Sequence, residues 1–133
     1  KARGHFAIGP SKPKSVYAFE SAIDALSLAT YFLKTKTRDL LSMVGFISTA
    51  GVSAKPIAVD ADVKLYCAYD ADPAGDTAAK TWPRRARPPV KDYNTFLVLW
   101  TQSERHKKRK TASDVAPSSL PEAPSPDSEA SPV

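Results

Sequence analysis

Two aspartates separated by one residue close an apolar segment near the middle of the chain. Residues 63–69 (VKLYCAY) are strand-like, and Asp70 and Asp72 follow them directly, before Pro73 and Gly75. Carboxylates at positions i and i+2 repel each other unless a cation lies between them. Oxygen ligands of this kind suit Mg²⁺, which binds through one or two carboxylates together with phosphate oxygens and water. The spacing therefore predicts a metal-phosphate site where this strand ends.

A glutamate closes a second strand-like segment, upstream of the aspartates. Residues 15–19 are β-rich, Glu20 follows them, and Ser21 can cap the helical pattern that comes next. Phosphoryl transfer needs a metal to neutralise phosphate charge and a group that handles the proton of the nucleophile or leaving oxygen. Neighbouring carboxylates raise the pKa of a glutamate and a metal lowers it again, so Glu20 is a candidate general acid/base.

These carboxylates also have simpler interpretations. Asp70 and Asp72 can belong to a solvated strand-to-helix turn, because Asp and Pro are common turn residues. Glu20 can be a capping carboxylate at a helix N-terminus. Asp76 is expected to cap the following helix or to lie in its first turn, where the helix dipole favours negative charge.

The pattern of apolar residues predicts the elements that position these groups. In chain order they are a strand over 15–20, a helix from 22 to about 34, a buried strand over 40–48, a connector over 56–62 that can hold a helical turn, a strand over 63–69, a short helix over 76–82, a proline-interrupted loop over 83–90, and an apolar segment over 96–100 that is a closing helix or an edge strand. This alternation predicts right-handed crossovers and a parallel sheet. Ligands bind outside the carboxyl ends of such strands, where Glu20, Asp70 and Asp72 all lie in this interpretation.

Composition divides the 133 residues into three parts. Residues 1–13 are an irregular, basic entry, and residues 14–100 form one domain with a modest core. Residues 101–133 form a basic segment followed by a Pro-, Ser- and Ala-rich tail, which is predicted to be disordered because residues 111–133 contain no Lys, Arg or aromatic side chain.

Several classes of protein are disfavoured by the composition. Cys67 is the single cysteine, which excludes an intramolecular disulfide, and two isolated histidines give no zinc-ligand spacing. No apolar run approaches the ~20 residues that span a membrane. There is no signal peptide and no initiator Met, so we expect a cytoplasmic protein that is a fragment or a processed product.

Three segments together resemble the Toprim domain, which topoisomerases, bacterial primases, certain nucleases and recombination proteins share. Residues 16–26 (VYAFESAIDAL) resemble the first motif, a glutamate that ends a strand and precedes a helix. Residues 69–79 (YDADPAGDTAA) are similar to the primase-type Asp-x-Asp motif. Residues 87–94 (RPPVKDYN) resemble a Lys-Asp-aromatic-Asn segment of the Toprim-like branch in plasmid and conjugative-element proteins. The resemblance covers about residues 14–98.

The resemblance implies an α/β fold, a Toprim-like (Rossmann-like) parallel sheet of about four strands flanked by helices. It also implies a cofactor, Mg²⁺ or Mn²⁺, with Glu20 catalytic and Asp70 and Asp72 as metal ligands. Asp92 is a further candidate metal ligand, and Asp24 supports the site from the first helix. The implied activity is primase-like nucleotidyl transfer or phosphodiester cleavage on nucleic acid, most simply DNA, in a bacterial replication or mobile-element protein. Other domains or subunits of a replication or conjugation apparatus are the expected partners.

A basic cluster follows the domain. Lys107, Lys108, Arg109 and Lys110 are candidates for a sequence-independent, salt-sensitive contact with phosphates. The alternative is an ordinary solvated run of charges.

Two alternatives to an active Toprim enzyme remain open. Only eight residues separate Trp82 from Lys91, so a fourth parallel strand is shortened or missing, and Asn94 stands where primases have a second aspartate. These departures favour a catalytically degenerate Toprim-fold module that binds nucleic acid or a protein partner. The pair Asp70 and Asp72 also resembles the nucleophile motif of haloacid-dehalogenase-like phosphatases, a weaker match because those enzymes carry the motif on their first strand.

Overall fold

The computed structural model describes residues 6–35 and 37–119. The elements in chain order are β1 (Ala7–Ile8), β2 (Ser15–Phe19), α1 (Ala22–Lys34), a 3₁₀ helix (Arg38–Met43), β3 (Val44–Ser48), β4 (Lys64–Cys67), α2 (Pro73–Ala79) and α3 (Tyr93–Ser119). No helix within these residues is both long and apolar enough to cross a bilayer.

The four strands form one mixed sheet in the order β1-β3-β2-β4. β2 is the central strand and pairs in parallel with both β3 and β4. The predicted α/β sheet with flanking helices is therefore confirmed, and the carboxyl ends of three strands meet at one edge. β1 differs from the predicted parallel arrangement, because it pairs antiparallel with β3 and arises from the entry segment that was expected to be irregular.

Helices cover both faces of the sheet, which explains why its strands are apolar on both sides. On one face Phe19 and Phe46 pack against α1 and the first turn of α3. On the other face Ala18 and Cys67 pack against α2 and Trp82. Cys67 is fully buried and unpaired, as expected for a small core residue.

Several boundaries differ from the sequence prediction. The apolar segment 40–48 is a strand only from Val44 onward, because residues 38–43 turn the chain back from α1 as a 3₁₀ helix. The connector 56–62 contains no helix and ends in a single hydrogen-bonded turn, in which the Val63 N–H donates to the Asp60 carbonyl at 3.0 Å. α2 begins at Pro73 rather than at residue 76, since proline is favoured at the first position of a helix and Asp72 caps it. Residues 96–100 belong to a helix and not to an edge strand.

The chain divides into two units, one up to Leu97 and one from Val98 onward. The second unit contains the larger part of α3, which continues through Ser119 and so includes residues 111–119 of the tail that was predicted to be disordered. The rest of that predicted tail, 120–133, lies outside the described residues.

Candidate metal centre

Glu20 lies one residue beyond β2 and is hydrogen-bonded to the segments that follow β3 and β4. Its Oε2 accepts a hydrogen bond from the backbone N–H of Asp70 at 3.0 Å. Its own carbonyl oxygen accepts the N–H of Gly51 at 2.8 Å, in the loop that follows β3. The residue is thus fixed from both neighbouring strands, because their carboxyl ends share one sheet edge.

The loop after β3 is anchored to the residue that precedes Asp70. The hydroxyl of the buried Tyr69 lies 2.8 Å from the Thr49 Oγ1 and accepts the N–H of Ser53 at 3.2 Å. The Trp82 indole donates to the Ser53 carbonyl at 2.9 Å. These contacts pack the loop beside the same sheet edge.

Asp70 and Asp72 begin the turn from β4 into α2, and their side chains have different surroundings. The Asp72 Oδ1 accepts the N–H of Gly75 at 2.7 Å, so this aspartate is the N-cap of α2. Asp76 lies in the first turn of α2, as predicted. Gly75 is required by close approach, because a Cβ at this position would collide with the carbonyl oxygen of Asp70.

Asp24 and Asp92 connect the first turns of α1 and α3. The buried Asp24 accepts the Ser21 hydroxyl at 2.9 Å and the backbone N–H of Asn94 at 3.0 Å. Asp92 accepts the N–H of Thr95 at 2.7 Å and so caps α3. The Asp24 carboxylate thus connects α1 to the start of α3, where Asp92 lies, and its supporting role in the site stays a prediction.

Five carboxylates converge at this edge in two overlapping groups. Oxygen atoms of Glu20, Asp70 and Asp72 lie within 4.8 Å of one another, and so do oxygen atoms of Asp24, Asp70 and Asp92. Asp70 belongs to both groups. It is the member whose carboxylate accepts no hydrogen bond from the described part of the chain, whereas the other four each accept at least one.

The electrostatics reflect this crowding. Burial, followed by the charges of Glu20 and the other carboxylates, raises the pKa of Asp70 from 3.8 to about 6. Burial also raises the pKa of Glu20; the hydrogen bond from Asp70 lowers it, and the charges of Asp72 and Asp24 raise it further. Without a metal, the carboxylates of this site therefore resist becoming fully ionised. A divalent cation would reduce their mutual repulsion and favour the ionised forms. Hard carboxylate oxygens within one ion's reach are the ligands that Mg²⁺ and Mn²⁺ take, so the residues fit such an ion.

Two arginines beside the site were not predicted from the sequence. Arg85 donates to the carbonyl oxygens of Tyr69 and Asp70 at 2.7 and 3.0 Å, and its Nη2 lies 2.7 Å from the Asp76 Oδ1. Arg87 binds both oxygens of Asp76, at 2.9 and 3.1 Å. The only sequence signal was their location in a proline-interrupted segment between two motifs.

The predicted phosphate-contacting cluster lies on α3, in the second unit. Lys107, Lys108, Arg109 and Lys110 are all exposed. Lys107 lies 3.4 Å from Glu104 one turn earlier, an ion pair of the weak surface kind.

Comparison with known proteins identifies the family. No curated protein sequence and no solved structure gives a significant match. A family profile described as Toprim-like matches residues 17–97, the segment that contains all five carboxylates. The match spans more than half of the chain, so the chain belongs to the Toprim-like family.

Proposed function

We propose that this chain carries out metal-dependent phosphoryl-transfer chemistry on nucleic acid, as primase-like nucleotidyl transfer or phosphodiester cleavage within a DNA replication or mobile-element protein. Membership of the Toprim-like family implies a metal-dependent function related to nucleic acid. The observation that carries the proposal is Asp70, a carboxylate without a protein donor among the described residues, held between four other carboxylates at one sheet edge.

The metal ligands in this proposal are the two aspartates of the first group. Asp70 and Asp72 hold Mg²⁺ or Mn²⁺ directly or through water, with Glu20 beside them, and Asp92 is a further candidate through the second group. Bound there, the ion would neutralise phosphate charge and orient phosphate oxygens.

Glu20 is the general acid/base in this proposal. Its Oε2 is occupied by the N–H of Asp70, which leaves Oε1 to exchange a proton with the substrate. A pKa raised by burial brings the carboxyl group closer to neutral pH, where it can both accept and release a proton.

The exposed basic residues of α3 supply attraction to the phosphate backbone. Residues 101–110 contain five basic side chains and one acidic side chain. Contacts between such a segment and DNA do not depend on sequence and weaken as salt rises. A variant with Lys107, Lys108, Arg109 and Lys110 replaced by alanine should therefore have a flatter salt dependence of DNA binding, by up to about 0.9 log units of affinity per log unit of salt for each phosphate that the variant no longer neutralises.

A second candidate function is a non-catalytic module that binds nucleic acid. The observation that favours it is the segment beside β4, where one parallel bridge between Cys67 and Arg85 replaces a full strand. Such a module would bind DNA in a salt-dependent manner and show no metal-dependent turnover.

The deciding experiment measures turnover of labelled DNA and of nucleotides with and without Mg²⁺, in the parent and in Glu20→Gln. Glutamine can still accept the Asp70 N–H but cannot exchange a proton, so turnover should fall about 10²-fold or more while Mn²⁺ binding persists. Asp60→Asn, at an exposed aspartate in the connector, is the matched control and should behave like the parent. Absence of turnover in the parent would favour the non-catalytic module, and full turnover in Glu20→Gln would remove the assigned role of Glu20.

A further inference from the structure

The segment beside β4 pairs with it over a very short distance. The Cys67 N–H donates to the Arg84 carbonyl at 2.8 Å, and the Ala86 N–H donates to the Cys67 carbonyl at 2.9 Å. Pro88 and Pro89 follow almost at once, and proline has no N–H with which to extend a ladder of hydrogen bonds. Beyond β4, the carbonyl oxygens of Tyr69 and Asp70 thus accept no backbone hydrogen bond from the described residues.

The side chain of Arg85 supplies the missing donors. Its Nη1 donates to the carbonyl oxygens of Tyr69 at 2.7 Å and of Cys67 at 3.3 Å, and its Nη2 donates to that of Asp70 at 3.0 Å. A guanidinium group has several N–H donors in one rigid plane, so one side chain can bind several carbonyl oxygens, where a neighbouring strand would use the N–H groups of alternate residues.

The guanidinium group is itself fixed from α2. Its Nη2 pairs with the Asp76 Oδ1 at 2.7 Å, and the Arg87 Nε pairs with the same oxygen at 2.9 Å. Arg85 therefore spans the turn that carries Asp70 and Asp72, from the strand before it to the helix after it.

We infer that Arg85 is a positioning residue for the metal site: its guanidinium replaces the missing length of the neighbouring strand and fixes the backbone of Asp70. The Tyr69 carbonyl shares a peptide plane with the Asp70 N–H, so holding the carbonyl oxygens of Tyr69 and Asp70 directs that N–H to Glu20 and the Asp70 carboxylate to both acidic groups. The part of this inference that concerns metal rests on the proposed function, whereas the part that concerns the Asp70 backbone does not.

The test compares Arg85→Lys and Arg85→Met with Arg87→Met. Lysine keeps the positive charge but cannot donate to successive carbonyls from one plane. Arg87→Met is the matched control, because Arg87 shares the Asp76 carboxylate but is not bonded to the carbonyls of β4. All four proteins are analysed without metal by residue-specific amide hydrogen exchange, with the amides of β2 as a reference for global stability.

Both Arg85 variants should exchange the Asp70 amide at least about tenfold faster than the parent, relative to β2, whereas Arg87→Met should stay within about twofold. Titration with MnCl₂ should then show affinity weakened about tenfold in both Arg85 variants, as is typical when a residue that orients a metal ligand is removed.

Parent-like exchange at Asp70 in both Arg85 variants would overturn the inference. Fast exchange in Arg85→Met with parent-like exchange in Arg85→Lys would show that charge suffices, and would also overturn it. If Arg85→Met does not fold, the Arg85→Lys exchange decides. Failure of the parent to bind Mn²⁺ would instead contradict the proposed function, and the exchange rates would still decide the role of Arg85.

Discussion

Two aspartates near the start of α2 have opposite electrostatic surroundings. Burial and neighbouring carboxylates raise the pKa of Asp70 to about 6, whereas hydrogen bonds from Arg87 and Arg85 lower the pKa of Asp76 to about 2. Asp70 precedes the N-cap of α2, whereas Asp76 lies in its first turn, where the helix dipole also favours negative charge. Both arginines bind the carboxylate of Asp76, whereas Asp70 is bound by Arg85 at its backbone carbonyl and not at its carboxylate.

This contrast distinguishes a carboxylate that stabilises the fold, Asp76, from one that is suited to bind a cation, Asp70. Asp76 forms ion pairs with Arg85 and Arg87, and its ionised form stabilises the native structure. Asp70 shares a crowded site, and its ionised form is disfavoured until a cation from solution arrives. Carboxylates that remain in such a site despite the cost in stability are typical of functional centres.

The largest expected effect is the loss of metal affinity when Asp70 is replaced. Asp70→Asn removes the residue shared by both acidic groups and should weaken Mn²⁺ binding about 100-fold or more, measured by calorimetric titration. Asp76→Asn keeps an oxygen that can accept from Arg85 and should change the affinity by less than about threefold. Equal losses of affinity in the two variants would mean that Asp70 contributes no more to metal binding than Asp76 does.

Gly75→Ala tests whether the close packing of α2 against the Asp70 carbonyl contributes to stability. A Cβ at residue 75 would collide with the Asp70 carbonyl oxygen, which Arg85 also binds. We expect a loss of about 1–3 kcal/mol in the free energy of unfolding, typical of overpacking, measured by urea denaturation. Gly51→Ala is the matched control for adding a methyl group without a steric contact, although its positive φ carries a conformational cost of its own. Unchanged stability in Gly75→Ala would show that the turn has room to relax.

The sequence predicts the carboxylates of the site better than the arginine that contacts the Asp70 carbonyl. Glu20, Asp70 and Asp72 end apolar segments, and the carboxyl ends of parallel strands must meet at one edge, so their convergence follows from topology. The roles of Asp72 and Arg85 depend on local geometry instead. The residue before Pro73 is an N-cap only if the helix starts there, and a guanidinium can replace a strand only if its own segment is too short to pair.

Other differences have a similar physical origin. Residues 40–43 are apolar enough for a strand, but the chain needs them as a 3₁₀ helix to return from α1 to the sheet. β1 has two residues, too few to give a periodic pattern, and its antiparallel pairing depends on an edge that only the folded sheet provides. Element type is set by local pattern, whereas such boundaries are set by tertiary contacts.

The stability of the metal-free protein should depend on pH because of Asp70. Between about pH 4 and pH 6 the unfolded chain releases this proton while the folded chain keeps it, so stability present at low pH is lost as pH rises through this window. The loss should be about 1 kcal/mol, discounted for solvent screening of a partly exposed group. Urea denaturation across this range should show a smaller decline in Asp70→Asn, and saturating MnCl₂ should offset the decline in the parent. A parent profile that rises over this window would contradict the crowding at Asp70.

The smallest expected effect lies at Asp76, where the sign is reversed. Its lowered pKa means that its contribution is present above about pH 4 and is lost as pH falls toward 2. Asp76→Asn should therefore lower the thermal midpoint by a few degrees at pH 7, and this difference from the parent should shrink in acid and in high salt, because the carboxylate is exposed. Arg87→Met should lower the midpoint at pH 7 in the same direction, and the double variant should lose less than the sum of the two because the residues share one ion pair. Additive losses would mean that the pair contributes nothing, and that Asp76 is no better compensated than Asp70.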